Sequence, residues 1–331
     1  MLKKAFIIAS TVMAGLLFLP DIDYDSAFRL HTAVDFQFTL FYIHGQEFLP
    51  IYQYIAAAFA SLLFLRIVSF LCVLASGFVF NRIMRKLSRK TLADSTTILF
   101  LLNPLILLYG SLAMYESLAT LLMLLMLYFY MDENFTRSSL ALSIGVLTSY
   151  FLWIFAPYFA ATIKKKQLLW YILPIIGIAS WLWINFSLQN NPFHFLVVSK
   201  MIYNGVASKT EQLNATGNVL LYTFLFPAMF SLNSPVFALL KGDRNKLSGL
   251  LKYFVATYTA ALTAGLLLKI FFGFGWERFY ILLIPAYLIL TGPQILKSKH
   301  AKAWIIVYFA VSITSTVWQA DLTWAFQKSM L

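Results

Sequence analysis

The sequence predicts an all-α membrane protein with about eleven transmembrane helices, two of them short. Its composition is the first reason, since 61% of the 331 residues are hydrophobic and only 11% are charged. Soluble domains carry about 25% charged residues, so this chain has too few polar side chains to cover a water-soluble core. Its apolar residues form long runs rather than alternating ten-residue segments, which excludes an outer-membrane barrel. Cys72 is the only cysteine, which excludes a disulfide scaffold.

The positions of the basic residues are the second reason. They fall in short clusters between the apolar runs, which predicts that the clusters share the cytoplasmic side of a membrane. The clusters are Lys3–Lys4, Arg82–Lys90, Arg137, Lys164–Lys166, Lys241–Lys252 and Lys297–Lys302. We therefore interpret the formal net charge of +12 as a consequence of topology, and we expect no nucleic-acid partner.

The spans follow from the apolar runs, because each crossing needs roughly 20 apolar residues. The predicted spans are Ala5–Leu19, Ile67–Asn81, Thr96–Tyr109, Ala113–Met131, Leu168–Leu188, Val219–Leu240, Leu250–Phe272, Phe279–Leu296 and Ala303–Trp318. A single span over Ser139–Ile163 would put the triple lysine outside, so we predict two short helices that turn near Ser149-Tyr150. The N-terminus then lies inside, and we expect the first run to be an uncleaved anchor rather than a signal peptide.

Arg66 decides how the next segment is interpreted, because it interrupts the long apolar stretch Ile51–Phe80. A charge at the bilayer centre costs at least about 2.5–3.5 kcal/mol, so we place Arg66 at the external end of a span. Ile51–Leu65 is then predicted to be an amphipathic helix on the outer surface. The first external loop covers residues 20–66, a second covers 189–218, and residues 1–331 form a single transmembrane domain.

Three carboxylates, Asp21, Asp23 and Asp25, follow the first apolar run within five positions. Like charges this close repel each other unless a cation, a positive ligand or a shared proton offsets them. We interpret the cluster as a general base, or as a divalent-metal and phosphate site, at the membrane face. Solvated acids at a helix end are the structural alternative. Arg29 stands four residues after Asp25, within reach of the same cluster.

Two further places carry charges where an apolar chain has few. Glu116 is expected at the external end of a pair of helices, where an acid must face a cavity or a partner. Arg278 follows Glu277 at an external helix start beside two glycines. A guanidinium there can bind two phosphate oxygens, helped by the helix dipole. The alternative is that Glu277 and Arg278 only cap the helix.

Several of these motifs resemble those of the GT-C superfamily of integral-membrane glycosyltransferases. The nearest pattern is that of the GPI mannosyltransferase I type, which depends on dolichyl-phosphate-mannose. Its Asp-Xaa-Asp-Tyr motif after the first helix is matched by Asp21-Ile22-Asp23-Tyr24, and its Tyr-Xaa-Tyr segment by Tyr52-Gln53-Tyr54. Arg66 resembles the basic residue that opens its second span. Its Asn-Pro and acid-Ser pairs are matched by Asn103-Pro104 and Glu116-Ser117, whereas its Arg-Gly-Asn and Lys-Xaa-Tyr-Pro segments are not matched.

The resemblance implies an inverting glycosyltransferase. It would move a sugar, with mannose favoured, from a polyprenyl- or dolichyl-phosphate carrier to a lipid or glycan acceptor at the non-cytoplasmic face. Asp21 or Asp23 would be the general base, and both could share a Mg²⁺ or Mn²⁺ ion that the sequence does not require. The residues expected to bind substrate are Tyr24, Asp25, Arg29, Arg66, Glu116, Lys200, Lys209, Glu277 and Arg278. Arg278, with Lys200 or Lys209, would stabilise the departing phosphate.

The expected location is the cell membrane of a prokaryote or the endoplasmic reticulum of a eukaryote. The expected partners are membrane lipids, the polyprenyl-phosphate sugar donor and a glycolipid or glycan acceptor, with a small membrane subunit as a further option. Two other classes of function stay open on the sequence alone. One is a multi-span lipid or solute transporter, and the other is a non-catalytic subunit of a membrane assembly complex.

Overall fold

A computed structural model of the chain describes residues 1–18, 49–59, 61–162, 167, 169–198, 200, 246–267, 281–310 and 312–313. These residues are mostly helical and contain no strand, which confirms the all-α class. The helices are α1 (Leu2–Leu17), α2 (Pro50–Phe59), α3 (Leu62–Leu87), α4 (Lys90–Leu101), α5 (Pro104–Tyr109), α6 (Tyr115–Met131), α7 (Phe135–Val146), α8 (Phe155–Thr162), α9 (Ile172–Gln189), α10 (Lys246–Leu267), α11 (Leu283–Lys297) and α12 (Ala301–Ala310). Short 3₁₀ helices cover Tyr150–Ile154 and Leu169–Tyr171.

Two helices in the described part of the chain are long and apolar enough to cross a membrane. They are α3 and the continuous helical stretch Leu169–Gln189, which includes α9. With 26 residues, α3 is about 39 Å long at about 1.5 Å per residue. Helix α6, the stretch Tyr150–Thr162 and α12 are apolar but shorter. The number of eleven crossings therefore stays a prediction.

The surface of α9 is typical of a helix that faces lipid. Large apolar side chains such as Ile176, Trp183 and Phe186 are exposed along it. Its buried residues are only Pro174, Trp181 and Asn185. Water-soluble surfaces rarely present contiguous apolar patches of this kind, so the exposed side of α9 agrees with a membrane location.

Helices α1 and α3 run antiparallel and share the main core. The rings of Phe6 and Phe78 stack with their centroids 4.4 Å apart, and Arg66 contacts the carbonyl of Leu17 at the other end of the pair. Gly110, after α5, allows this close packing. A Cβ there would lie 2.7 Å from the Met13 sulfur, and also only 2.9 Å from a methyl of Val73. The three segments therefore meet where a side chain would not fit.

Charged contacts gather where α3 ends. Arg85 pairs with Asp94 of α4 at 3.1 Å, and the amide of Asn81 donates to the same carboxylate at 3.1 Å. Lys86 pairs with Asp132 after α6. We call this the Arg85 end of the bundle, and the opposite one, where α3 begins, the Arg66 end.

Other basic segments share the Arg85 end. Lys3 and Lys4 open α1, which runs antiparallel to α3. Helix α11 packs on α4 at Gly292, where a Cβ would lie 2.6 Å from the Thr96 side chain. Because Leu99 of α4 lines a crevice with residues nearer the start of α11, the two helices are antiparallel and Lys297 lies toward the Arg85 end.

The prediction of a single helix over Ile51–Leu65 is wrong about where that helix ends. Helix α2 ends at Phe59, and Ser61 begins α3 with its Oγ accepting from the Phe64 amide at 3.4 Å. A serine that caps a helix stops the preceding helix from continuing through it. Arg66 accordingly lies in the second turn of α3, near the start of that helix.

The expected continuous span Thr96–Tyr109 is also wrong. The helix breaks at Asn103, whose Oδ1 accepts from the amides of Leu105 at 2.9 Å and Ile106 at 3.4 Å. Pro104 follows at the first helical position, where its missing N–H costs nothing. The Asn-Pro pair thus starts a new helix, α5, instead of lying inside one.

Asn103 also connects this break to the C-terminal part of the described chain. Its Nδ2 donates to the hydroxyls of Tyr308 at 2.8 Å and Ser312 at 2.9 Å. The Tyr308 hydroxyl donates in turn to the carbonyl of Leu99 at 3.2 Å. Every polar atom of the Asn103 carboxamide is therefore used within the fold.

The predicted pair of short helices around Ser149-Tyr150 is confirmed. Helix α7 ends at Val146, and a 3₁₀ turn leads into α8. The backbone carbonyls freed at the end of α7 are satisfied by donors outside that helix. The indole of Trp153 donates to the Val146 carbonyl at 2.7 Å, and the Ile51 amide donates to that of Leu147 at 3.2 Å. Buried irregular backbone is tolerated in a membrane protein when it is satisfied in this way.

Substituting Asn103 with alanine should destabilise the fold more than an ordinary capping loss. The change removes the cap and the two hydrogen bonds to Tyr308 and Ser312, for a predicted cost of about 2–4 kcal/mol. Asn134→Ala is the matched control, because Asn134 caps α7 with a single bond to the Arg137 amide at 3.2 Å. That loss should cost about 1 kcal/mol. Thermal unfolding of the purified variants measures both, and equal losses would contradict the role given to Asn103.

Candidate functional site

A group of buried polar side chains lies at the Arg66 end. Only 5% of Arg66, 1% of Glu116 and 4% of Gln53 is exposed, and Ser69 and Ser117 are buried beside them in sequence on α3 and α6. We call these five residues the Arg66 cluster. Buried charges are rare in proteins because desolvation is costly, so a cluster containing both an arginine and a glutamate needs specific support.

The support for Arg66 comes from the end of α1. Its Nη1 donates to the carbonyl of Leu17 at 3.0 Å. Leu17 is the last residue of α1, so its carbonyl has no partner within the helix. A cation at the C-terminus of a helix also meets the negative end of the helix dipole. The guanidinium therefore satisfies the last carbonyl of α1, and the C-terminus of that helix stabilises its charge.

The support for Glu116 comes from the start of α6. Glu116 lies in the first turn, where a carboxylate faces the positive end of the helix dipole. The turn itself is fixed by two serines. Ser117 donates to the Tyr109 carbonyl at 3.0 Å, and Ser69 of α3 donates to the Met114 carbonyl at 3.2 Å and accepts from its amide at 3.3 Å. These bonds hold the start of α6 beside the Arg66 face of α3.

Helix α2 covers the cluster from one side. Tyr52 and Ala56 pack in a small apolar group with Leu65 of α3. The Tyr52 and Tyr115 rings meet edge to face with centroids 6.5 Å apart. Gln53, next to Tyr52, is buried, and its Oε1 has no hydrogen-bond partner among the described residues. A buried acceptor without a donor costs about 1–3 kcal/mol, and a bound donor would remove that cost.

The structure brings together only part of the predicted site. Arg66 and Glu116 are both buried at the Arg66 end, whereas Lys200 is exposed. The other predicted residues lie outside the described part of the chain, and these are Asp21, Asp23, Tyr24, Asp25, Arg29, Lys209, Glu277 and Arg278. The described residues contain no group of three metal-ligating side chains. A cation held by Asp21 and Asp23 stays a prediction.

Sequence reasoning did not assign a function to Gln53, Ser69 or Ser117. Gln53 enters the sequence prediction only as the middle residue of the Tyr52-Gln53-Tyr54 match. A signal was present, because Gln53 and Ser69 are polar residues in an otherwise apolar stretch. Such residues at membrane depth usually face the protein interior or a cavity.

No family model matches the chain, and no curated protein matches it.

Replacing Arg66 with methionine tests the link between α1 and α3. Methionine keeps much of the side-chain length but leaves the Leu17 carbonyl without its charged donor, so we expect a loss of about 1.5–3 kcal/mol in unfolding free energy. Arg66→Lys keeps the charge and should lose less. The exposed Arg89 offers the control Arg89→Met, for which we expect a change within about 0.5 kcal/mol. An Arg66→Met protein as stable as Arg89→Met would rule out the supporting role.

Proposed function

We propose that the chain is a multi-pass membrane glycosyltransferase of the GT-C type. It would transfer a sugar, with mannose favoured, from a polyprenyl-phosphate carrier at the Arg66 end of the bundle, which would face the non-cytoplasmic side. The observation that carries the proposal is the Arg66 cluster at the end of α1, because the acidic motif follows directly. Asp21 comes four residues after Leu17, and four extended residues span at most about 14 Å.

The orientation is supported by the charges at the two ends. Lys3, Lys4, Arg85 and Lys86 lie at the Arg85 end, as described above. Basic residues next to membrane spans favour the cytoplasmic side. The Arg66 end then faces outward, where a lipid carrier presents its sugar without any need for a bound nucleotide.

The chemistry assigned to each group follows from its type. A carboxylate, Asp21 or Asp23, would take the proton from the acceptor hydroxyl as that oxygen bonds to the anomeric carbon. The bond from that carbon to the phosphate oxygen breaks, and the phosphate leaves with both electrons. Because the acceptor attacks from the opposite face, the configuration at the anomeric carbon is inverted. Arg66 contributes a positive potential that favours an anionic carrier and its departing phosphate. The unpartnered Oε1 of Gln53 suits a sugar hydroxyl as donor.

Glu116 would lower the positive potential of the Arg66 cluster. As an acid in the first turn of α6, it balances the charge of Arg66 in the same cluster and limits how tightly the phosphate is held. Such a limit is useful because binding energy that is equal in the ground and transition states lowers KM without raising kcat.

Substituting Asp21 and Asp23 with asparagine is the direct test of the enzyme. General-base catalysis contributes roughly 10²–10⁴ in rate, so the double variant should lose at least about a hundredfold in sugar transfer from polyprenyl-phosphate donors. Asp94→Asn removes an acid at the Arg85 end and should leave the rate within about twofold. Transfer by the double variant at the parent rate would end the proposal, and so would the absence of any transfer by the parent protein.

Cysteine labelling tests the orientation separately. The parent has only Cys72, which is buried, so it should react little with a membrane-impermeant maleimide. Lys200 belongs to the predicted second external loop, on the same side as the Arg66 end, so in sealed cells Lys200→Cys should be labelled. Arg89→Cys should be labelled only after the membrane is opened. Lys200 and Arg89 are both exposed, so a difference would reflect sidedness rather than burial. The reverse pattern would place the Arg66 end in the cytoplasm.

A further inference from the structure

A groove at the Arg85 end is separate from the Arg66 cluster and plays no part in the proposed reaction. It lies between α3 and α6, has a volume of about 540 Å³, and extends to the start of α7. Cavities of about 300–1,000 Å³ are of the size that binds small ligands. The lining residues are Phe78, Val79, Arg82, Leu125, Tyr128, Phe129, Asp132, Asn134 and Arg137.

The groove changes from apolar to charged along the helix axes. Phe78, which is 61% exposed, stands one turn before Arg82 on the same face of α3, since residues four apart are neighbours on a helix. On α6, Leu125 stands about two turns before Asp132. Each wall therefore has its apolar residues toward the middle of the bundle and its charged residues at the Arg85 end.

The charges in the groove favour an anion. Its acid, Asp132, already pairs with Lys86, whose Nζ also lies 3.9 Å from the Tyr128 ring centroid. Arg82 and Arg137 are both exposed, and neither pairs with a carboxylate anywhere in the described ranges. The Arg137 guanidinium lies 5.7 Å from the centroid of the Phe129 ring, which holds it at the groove. Because Lys86 offsets the charge of Asp132, the two arginines leave the groove positive.

We propose that this groove binds an anionic membrane phospholipid. Its phosphate headgroup would lie between Arg82 and Arg137, and an acyl chain would lie along Phe78 and Leu125. A guanidinium group can donate two parallel hydrogen bonds to two oxygens of one phosphate. Basic pockets between transmembrane helices on the cytoplasmic side are suited to anionic headgroups. A soluble phosphate would use the arginines but would leave the exposed phenylalanine of the same groove uncovered, so the amphiphilic lining favours the lipid.

The inference requires that α3 lies in a membrane, as proposed above, but it does not require sugar transfer. A catalytically inactive Asp21→Asn/Asp23→Asn protein should bind the lipid as the parent does. Failure of the enzyme proposal and failure of this one can therefore be told apart by measuring both properties on the same preparations.

Native mass spectrometry of the purified full chain in detergent measures the binding. The probes are phosphatidylglycerol and phosphatidylcholine with identical acyl chains. The parent should retain phosphatidylglycerol at least about tenfold better than phosphatidylcholine. The Arg82→Gln/Arg137→Gln variant should bind phosphatidylglycerol about 30-fold more weakly than the parent. This corresponds to about fivefold for each arginine near an anionic headgroup. Arg82→Lys/Arg137→Lys should keep most of the binding, and Asp132→Asn should strengthen it by about fivefold.

The matched control is Arg89→Gln/Lys90→Gln, which removes the same charge at the same end but outside the groove. It should stay within about twofold of the parent. An equal loss in the control and the groove variant would overturn the site, as would equal retention of the two lipids by the parent. Displacement of the lipid by millimolar inorganic phosphate would assign the groove to a soluble anion instead. If the double glutamine variant does not fold, the gain expected from Asp132→Asn and the retention by the lysine variant still decide the outcome.

Discussion

The hydrogen bond from the Arg66 guanidinium to the Leu17 carbonyl places a buried charge at one end of this bundle, whereas the other end has ion pairs near its surface. It joins the last residue of α1 to the second turn of α3, and it requires a full positive charge in a nearly buried position. Desolvating that charge is acceptable only because a helix C-terminus supplies a partial negative charge and an unpaired carbonyl. Glu116 has the reciprocal arrangement, an acid at a helix N-terminus. Both buried charges thus depend on the ends of helices, and their positions follow from where α1 stops and α6 starts.

The two ends of α3 use charge in different ways. At the Arg85 end, Arg85 and Lys86 pair with acids near the surface, where an ion pair contributes about 0–1 kcal/mol and mainly fixes geometry. At the Arg66 end the charges are buried, each is more costly to remove, and Gln53 keeps an acceptor for which the described chain offers no donor. A site that has unmet bonding capacity and an internal electric field is suited to a polar ligand. The surface pairs at the opposite end are suited to holding helices together.

The sequence predicted the helical class and the short pair around Ser149-Tyr150, because composition and charge placement restrict both strongly. It did not predict the breaks at Ser61 and Asn103. Hydropathy treats each residue as a contribution to an average, whereas a cap is a directed bond from one side chain to one or two amides. The Asn103-Pro104 pair resembles a motif of the GT-C superfamily. The four bonds of Asn103 within the fold give it a structural role instead. For Arg66 and Glu116 the charge was evident from the sequence, but burial could not be, because it depends on α2 and on the packing of α3 against α6.

The short helices around the turn at Ser149 have a consequence for the surrounding bilayer. Helix α7 has 12 residues and is about 18 Å long, well short of the roughly 30 Å of hydrocarbon in a typical membrane. If a segment of this length lay in a bilayer, the lipids beside it would thin or tilt to match it, at a cost of a fraction of a kcal/mol for each ångström of mismatch. A bilayer around these short helices would therefore be dimpled beside them.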